Sequence, residues 1–280
     1  MSMATALCPA SLSFIFKAVF NADPLKTGSI GIGCTVNKNV KIRVQRSSSK
    51  QILFNGKKIN FPTVSTLINS LTKQPFKVEI ESSLPLGFGF GISSSATLAS
   101  AFAVSKALKL KRSRDKLIRL SHMAEIFNHT GLGSVVTSSK GGFLLKTKAG
   151  IPSVTINFPF VGQKLYAVII DKLTTPSILN SKTRLAEINR AADVALGIIN
   201  QNLNLRLKDV IDVAYNFSLK AGLLTDERVA AIINRIRKTG GHATMAILGQ
   251  VVISDTIPKL KENYRIEELT ITDNIVTLCK

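Results

Sequence analysis

Tryptophan is absent from this 280-residue chain, tyrosine occurs three times, and 17 acidic residues stand against 37 lysines and arginines. With aromatics at 6%, the core has to be filled by Ile, Leu, Val and Ala. The shortage of acid leaves a formal charge of +20. Such a charge attracts polyanions in general: nucleic acid, an anionic membrane, or a phosphate-bearing substrate. Cysteine is scarce too. Cys8, Cys34 and Cys279 are odd in number and far apart, which argues against a disulfide framework or a zinc spacing and fits a reducing cytoplasm. No uninterrupted apolar run reaches the roughly 18 residues of a membrane span. Residues 1–20 are apolar enough to imitate a signal peptide, yet they lack a charged n-region, carry Pro9 inside the apolar stretch and place Lys17 before any cleavage site. They read as a buried strand and a following loop.

What is present is a globular composition. Apolar residues make up 45% and charged residues 19%, enough for a sizeable core in one large domain or two modest ones. Much of the positive charge is local: Lys106, Lys109, Lys111, Arg112, Arg114, Lys116 and Arg119 face only Asp115. A solvated helix–turn–helix surface is the ordinary reading of such a run. No aromatics interleave with the charges, which disfavours a base-stacking surface.

Along the chain, residues 28–43 begin with close-spaced glycines and then alternate Val40, Ile42 and Val44 against Lys41 and Arg43, as a strand with one buried face. Residues 51–61 read as a hairpin around Asn55-Gly56. A short helix is expected over 64–71 and a strand over 76–80. Residues 96–108 are small and apolar on several sides, as in a helix buried among neighbours. Ser113 is placed to cap a helix through about residue 126, residues 128–133 form a loop, and strand pattern returns at Gly141. Gly150-Ile-Pro152 is the candidate boundary between a first domain (1–150) and a second (151–280). Beyond it come strands over 153–158 and 164–170, helices over 183–201, 206–221 and 226–238, and strands near 244–248, 251–254 and 265–272. Thr225 supplies a hydroxyl cap for the third of these helices, with Asp226 and Glu227 at its positive end. Strands and helices mix without strict βαβ alternation, so the fold class is α+β.

The most informative segment is Pro85-Leu-Gly87-Phe-Gly89-Phe-Gly91-Ile-Ser93-Ser94-Ser95. Three glycines let backbone N–H groups approach an anion with no Cβ in the way. The serines then open a helix, whose N-terminus carries partial positive charge and unpaired donors. Their hydroxyls can also ligate a phosphate-bound Mg²⁺. The segment lacks the Gly-Lys-Ser/Thr ending of a Walker A loop and misses the Gly-x-Gly-x-x-Gly spacing. A plain turn before a buried helix shares this composition, and the residues alone leave the two readings level.

The segment resembles the second signature motif of the GHMP kinases, usually Pro-x-Gly-x-Gly-Leu-Gly-Ser-Ser-Ala. With Phe90 in place of leucine it resembles one branch, the archaeal pantoate kinase family of coenzyme A biosynthesis. Cys8-Pro9-Ala-Ser-Leu-Ser-Phe-Ile-Phe16 is similar to that family's first motif, and Asp23-Pro24-Leu25-Lys26-x-Gly28-Ser29-x-Gly31-x-Gly33 to its glycine-rich stretch. His122-x-Ala124-Glu125 followed by Thr130-Gly131-Leu132-Gly133 is similar to its central block, and Thr244-Met245-Ala246-x-Leu248-Gly249 to its third motif. These matches run in order over most of the chain. The resemblance implies a two-lobed fold, with an N-terminal ribosomal-protein-like ATP-binding lobe containing a left-handed βαβ unit and a C-terminal ferredoxin-like lobe. It implies ATP and Mg²⁺ as cofactors and phosphorylation of pantoate, a small carboxylate, to 4-phosphopantoate. A cytoplasmic enzyme without membrane attachment, and a homodimer, are further expectations.

Residue by residue, Pro85, Gly87, Gly89, Gly91, Ser93, Ser94 and Ser95 would hold the nucleotide, and Ser93 with Glu125 the metal. Asp23, Lys26, Ser29, Gly131, Gly133 and His242 would meet the substrate. The family's aspartate, the expected base after Gly-Leu-Gly, is here Ser134, which cannot accept a proton as a carboxylate does; it would orient the hydroxyl in a reaction that is mostly positioning and electrostatics. The first motif's Pro-Gly-His is Pro9-Ala10-Ser11. Lys17, Lys26, Arg43 and Arg184 are the cations considered for the substrate carboxylate, Lys26 being preferred. His122 and His129 flank Glu125, but no second carboxylate or cysteine joins them to make a zinc site. Two other functions stay in view: a mevalonate-type GHMP kinase, since such members often lack the aspartate, and a basic nucleic-acid-binding protein, against which the phosphate loop and Glu125 both speak.

Overall fold

The apolar opening of the chain folds as strand β1 (Met3–Val19), laddered antiparallel to β2 (Gly28–Arg46). The computed structural model describes residues 3–172, 181–260 and 262–279; Met1 and Ser2 of the expected first strand lie outside that range. Along β2, Val40, Ile42 and Val44 are fully buried. Lys41 and Arg43 between them face outward and meet Glu81 and Glu79 on β5 (Phe76–Ser82) at 3.2 and 3.9 Å, the cross-strand pairing that a period of two permits. Asn55 and Gly56, at φ 47° and 80°, turn β3 (Gln51–Phe54) into β4 (Lys57–Lys58) as their sequence requires.

Helices α1 (Pro62–Leu71), α2 (Ile92–Ala107), α3 (Arg114–Phe127) and α4 (Ser134–Lys140) follow, interrupted by β5. Alanines and serines make α2 thin, so it sits buried between α1, α3 and α4 and against β1 and β2. Ser113 caps α3 by accepting from the Lys116 amide. The basic run around it is largely exposed, the solvated surface its composition indicates. Helix α4 is a departure: residues 134–140 carry no periodic signal, and they turn helical where Val135 and Val136 find the core.

The remaining elements are β6 (Phe143–Lys146), β7 (Thr155–Phe158), β8 (Lys164–Asp171), α5 (Lys182–Gln201), α6 (Leu207–Lys220), α7 (Glu227–Lys238), β9 (Ala243–Met245), β10 (Gln250–Ser254), β11 (Arg265–Thr272) and β12 (Thr277–Leu278). Gly150 to Pro152 falls in the turn between β6 and β7, which pair from Lys146↔Thr155 to Phe143↔Phe158. Among the described residues one sheet runs β4-β3-β5-β2-β11-β8-β10-β9, with β1 joined to β2 and β12, and β6 to β2 and β7. Strand β11 thus ties the two halves of the chain together through β2 and β8. Helices α5 and α6 cover β1, and α7 packs on β9 and β10. The cap of α7 is Asp226, whose carboxylate accepts from the Arg228 amide at 2.8 Å; Thr225, the expected cap, lies one residue outside, its amide turned to Leu223 O. No helix among the described residues is long and apolar enough to cross a membrane.

Candidate active site

Two register shifts interrupt the ladder of β1 with β2, one between Pro9 and Ser11 where the extra residues lie on β2, and one between Ser13 and Ile15 where the extra residue lies on β1. A bulge releases backbone groups from the ladder, and both are used. Ser11 N donates to Phe90 O at 3.0 Å, and Ser13 O accepts from Ile247 N at 2.9 Å. The first bond fastens the glycine-rich loop, and the second fastens the turn after β9. These loops touch each other: a methyl on Gly249 would overlap Phe88 O, and one on Gly91, at φ 62°, would overlap Ser11 Oγ. A pocket opens between them, bounded on its far side by the loop from Thr130 to Ser134 and by Lys146.

On the glycine side, α2 starts after left-handed Gly91 with no side chain capping it. Its first-turn amides therefore have no helical partner where Ile92, Ser93 and Ser94 line the pocket. Ser93 Oγ is buried without a hydrogen-bond partner. Ser94 Oγ donates to Glu125 Oε1 on α3, so Ser94 is the serine that touches the carboxylate. Glu125 is fully buried, and Oε2 makes no hydrogen bond of ordinary geometry. Burial pushes its carboxyl up to about 7, against the opposing pull of the Ser94 bond, the Val135 amide and the Lys146 charge. Two buried oxygens without partners, one of them carboxylate, are the hard donors that Mg²⁺ accepts alongside phosphate oxygens. The residues present fit that ion.

On the opposite side, a methyl on Gly133 would overlap both Ser29 Oγ and Lys146 Nζ, which places those three together beside Ser134. Lys146 Nζ donates to Gly133 O at 3.1 Å and to Thr137 Oγ1 at 3.4 Å. Its side chain is 4% exposed, and no carboxylate lies within ion-pair distance among the described residues. Burial lowers its ammonium to about 8, with Glu125 acting in the other direction. Sequence reasoning missed Lys146 as a site residue, along with Ser11, Ser13 and Leu248, which also line the pocket. The available signal was a lone lysine ending an apolar run, Phe143-Leu-Leu-Lys146, which alternation would have turned outward.

The structure brings together Ser29, Gly87, Gly89, Gly91, Ser93, Ser94, Gly131, Gly133 and Ser134 at this pocket, with Glu125 behind Ser94 and Gly131. It leaves five expected residues elsewhere. Pro85 precedes the part of the loop that lines the pocket. Ser95 points to the core, donating to Pro9 O at 2.7 Å. Asp23 closes its own turn by accepting from the Leu25 amide at 2.9 Å, and Lys26 is exposed beside it. His242 is drawn to Asp212 on α6, Nδ1 to Oδ2 at 2.8 Å, away from the pocket. The other cations considered are engaged: Lys17 with Asp193, Arg43 with Glu79, and Arg184 with Glu187 and Gly222 O. His122 is buried with Nε2 at 2.8 Å from Thr27 O, held below its ordinary pKa chiefly by burial, and His129 sits at φ 52° in the turn after α3. No group of three or more metal-ligating His, Cys, Asp or Glu side chains forms among the described residues.

Residues 60–142, from the start of α1 to the end of α4, match the family described as the GHMP kinases N terminal domain. A pantoate kinase of Methanospirillum hungatei JF-1 is 26% identical over 257 residues, covering 89% of this chain and 86% of the relative. Among solved structures, a phosphotransferase related to the CoA biosynthesis pathway superposes with a TM-score of 0.85 at 22% identity, covering 99% of this chain and 98% of the other. A structure described as MDDEF in complex with MVAPP, AMPPCP and magnesium reaches 0.76 at 15% identity, covering 99% of each. The uncapped start of α2, the glycine loop before it and Glu125 on α3 all fall inside the stretch that matches the GHMP kinases N terminal domain, and the fold is shared from end to end with the CoA-pathway phosphotransferase structure.

Proposed function

We propose that this protein is a kinase that transfers the γ-phosphoryl group of ATP to the 4-hydroxyl of pantoate. The observation that carries the reading is the polarity of one pocket. One wall offers open helix-start amides and the unpartnered Ser93 Oγ, with the unpartnered Glu125 Oε2 buried behind it, and the other offers a single buried ammonium among hydroxyls. The first wall suits a metal-bound polyphosphate. Ser93 Oγ and Glu125 Oε2 would hold Mg²⁺, which when bound offsets the charge on the transferring phosphoryl group.

Lys146 supplies the counter-charge for the substrate carboxylate, replacing Lys26 in that role. A buried ammonium lacking a carboxylate of its own stands to gain most from one brought by a ligand. Ser134, first residue of α4, and Ser29 beside Lys146 orient the substrate hydroxyls. No carboxylate lines this side of the pocket among the described residues, so positioning and charge account for rate here, as in phosphoryl transfer generally. The enzyme is placed in the cytoplasm, where Cys8, Cys34 and Cys279 remain thiols.

ADP release, measured with pantoate, mevalonate, phosphomevalonate and homoserine in parallel, tests the reading. Pantoate is expected to be turned over fastest. Turnover of another acceptor with none on pantoate overturns the substrate and leaves the kinase; no ADP from any of the four overturns both.

A further inference from the structure

The turn after β9 contains a residue in an unfavourable conformation. Ala246 N is bonded to Val251 O at 2.8 Å and Ile247 N to Ser13 O at 2.9 Å, and Gly249 N closes the turn on Ala246 O at 3.2 Å. In such a four-residue turn the third position takes a positive φ in the types that favour glycine or asparagine there. Leu248 occupies it, at φ 64°. A branched side chain in left-handed backbone crowds its own carbonyl. Asn55, Lys109 and His129 also have positive φ, but of these four only Leu248 lines the pocket. Strain kept at a site, where glycine would remove it, points to a use for the side chain.

The pocket supplies that use. Ser11, Ser13, Ser29 and Ser134 make part of its lining polar, whereas Leu248, Ile247, Phe16 and Leu132 contribute apolar side chains to it. Ile247, Phe16 and Leu132 are nearly buried, while Leu248 stays partly open to the pocket. Pantoate has a matching division: a carboxylate and two hydroxyls along its chain, and between the hydroxyl-bearing carbons one carbon with two methyl groups.

We propose that Leu248 is a specificity-determining residue, held in left-handed backbone so that its side chain packs on the dimethyl carbon of the substrate. The inference rests on the pantoate reading given above. It separates pantoate from 2,4-dihydroxybutanoate, the same chain without methyls, because apolar contacts of this size discriminate by about tenfold or more.

The test compares Leu248→Gly and Leu248→Ala with the wild type on both acids and by thermal melting. Both variants are expected to lose about tenfold in kcat/KM for pantoate and to change little with 2,4-dihydroxybutanoate, collapsing the ratio between the two. Both variants lack the side chain, but only glycine is relaxed at positive φ, so Leu248→Gly should melt about 2–4 °C above Leu248→Ala. An unchanged ratio overturns the specificity role, and equal melting temperatures overturn the strain. If wild type ignores pantoate but phosphorylates another acceptor, the parent reading fails instead.

Discussion

Replacing Glu125 by glutamine is expected to abolish turnover and yet stabilise the ligand-free protein at pH 8. The carboxyl is fully buried, and its pKa rises from 4.5 to about 7, about 2.5 units, or about 3 kcal/mol at 1.36 kcal/mol per unit. Between those two values the unfolded chain has released the proton while the folded chain still holds it. Fewer protons are then bound in the unfolded state, so wild-type stability falls as pH rises from about 4.5 to about 7 and stays reduced above. Glutamine never ionises and avoids that loss. It keeps an oxygen for the Ser94 hydroxyl, but its NH₂ needs a partner in a place where Oε2 has none, at a cost of about 1–2 kcal/mol. The net gain is about 1–2 kcal/mol at pH 8, a rise of roughly 2–8 °C in Tm. At pH 4 wild type is protonated in both states, the gain disappears, and the variant is no more stable than wild type. Thermal melts with EDTA at the two pH values, beside an ADP-release assay, decide the matter. A stability difference that does not change between pH 4 and 8, or a glutamine variant that still turns over, refutes the assignment of Glu125 as a buried carboxylate kept for a cation.

Ser93→Ala removes a hydroxyl with no protein partner; kcat/KM should drop at least tenfold with Tm unchanged within a degree, and normal activity would remove Ser93 from the site. Lys146→Met should raise KM for pantoate about a hundredfold or more, Lys146→Arg should recover part of it, and equal loss in both would argue against a counter-charge role. Because the ammonium loses its proton at about 8 and Glu125 takes one up below about 7, wild-type kcat/KM for pantoate should be highest between those values and fall about tenfold per unit above about 8, an upper limb that vanishes in Lys146→Met. His242→Ala breaks the bond to Asp212 and should lower Tm by a few degrees with KM for both substrates unchanged; a large rise in either KM would return His242 to the pocket.

Most of the fold could be read from the chain because its signals were local. The Val40-Ile42-Val44 alternation, the Asn55-Gly56 turn and the Ser113 cap each appear in the structure where a short-range rule puts them. Helix α4 had no such signal. Its seven residues, Ser134 to Lys140, include two adjacent β-branched valines and are poor helix formers; Gly133, Val135 and Val136 meet neighbours contributed by β1, β2 and α2, contacts that no window of local sequence contains. The cap at Asp226 in place of Thr225 is a one-residue ambiguity between two capping side chains, settled by which of them reaches the Arg228 amide.

The site was legible on its phosphate side for the same reason. Glycines, serines and a helix start are contiguous, so residues 87–94 state their chemistry within one stretch. The substrate side is assembled from distant pieces. Two register shifts between β1 and β2 present Ser11 and Ser13, the end of β6 presents Lys146, and a strained turn after β9 presents Leu248. Strand periodicity would send Lys146 to solvent after Leu145, whereas all four residues of β6 are buried because β2 and β7 flank it and α4 supplies Thr137 to the ammonium. Asp23, Lys26 and His242 looked functional because polar residues beside family-like motifs do, but each is satisfied or solvated where it stands. Among polar residues near a motif, the ones poised for a ligand are those the fold has left without a partner. Ser93 Oγ and Glu125 Oε2 meet that condition together, beside a Lys146 ammonium whose hydrogen-bond partners, Gly133 O and Thr137 Oγ1, are neutral, and whether a partner is missing is a property of the folded chain.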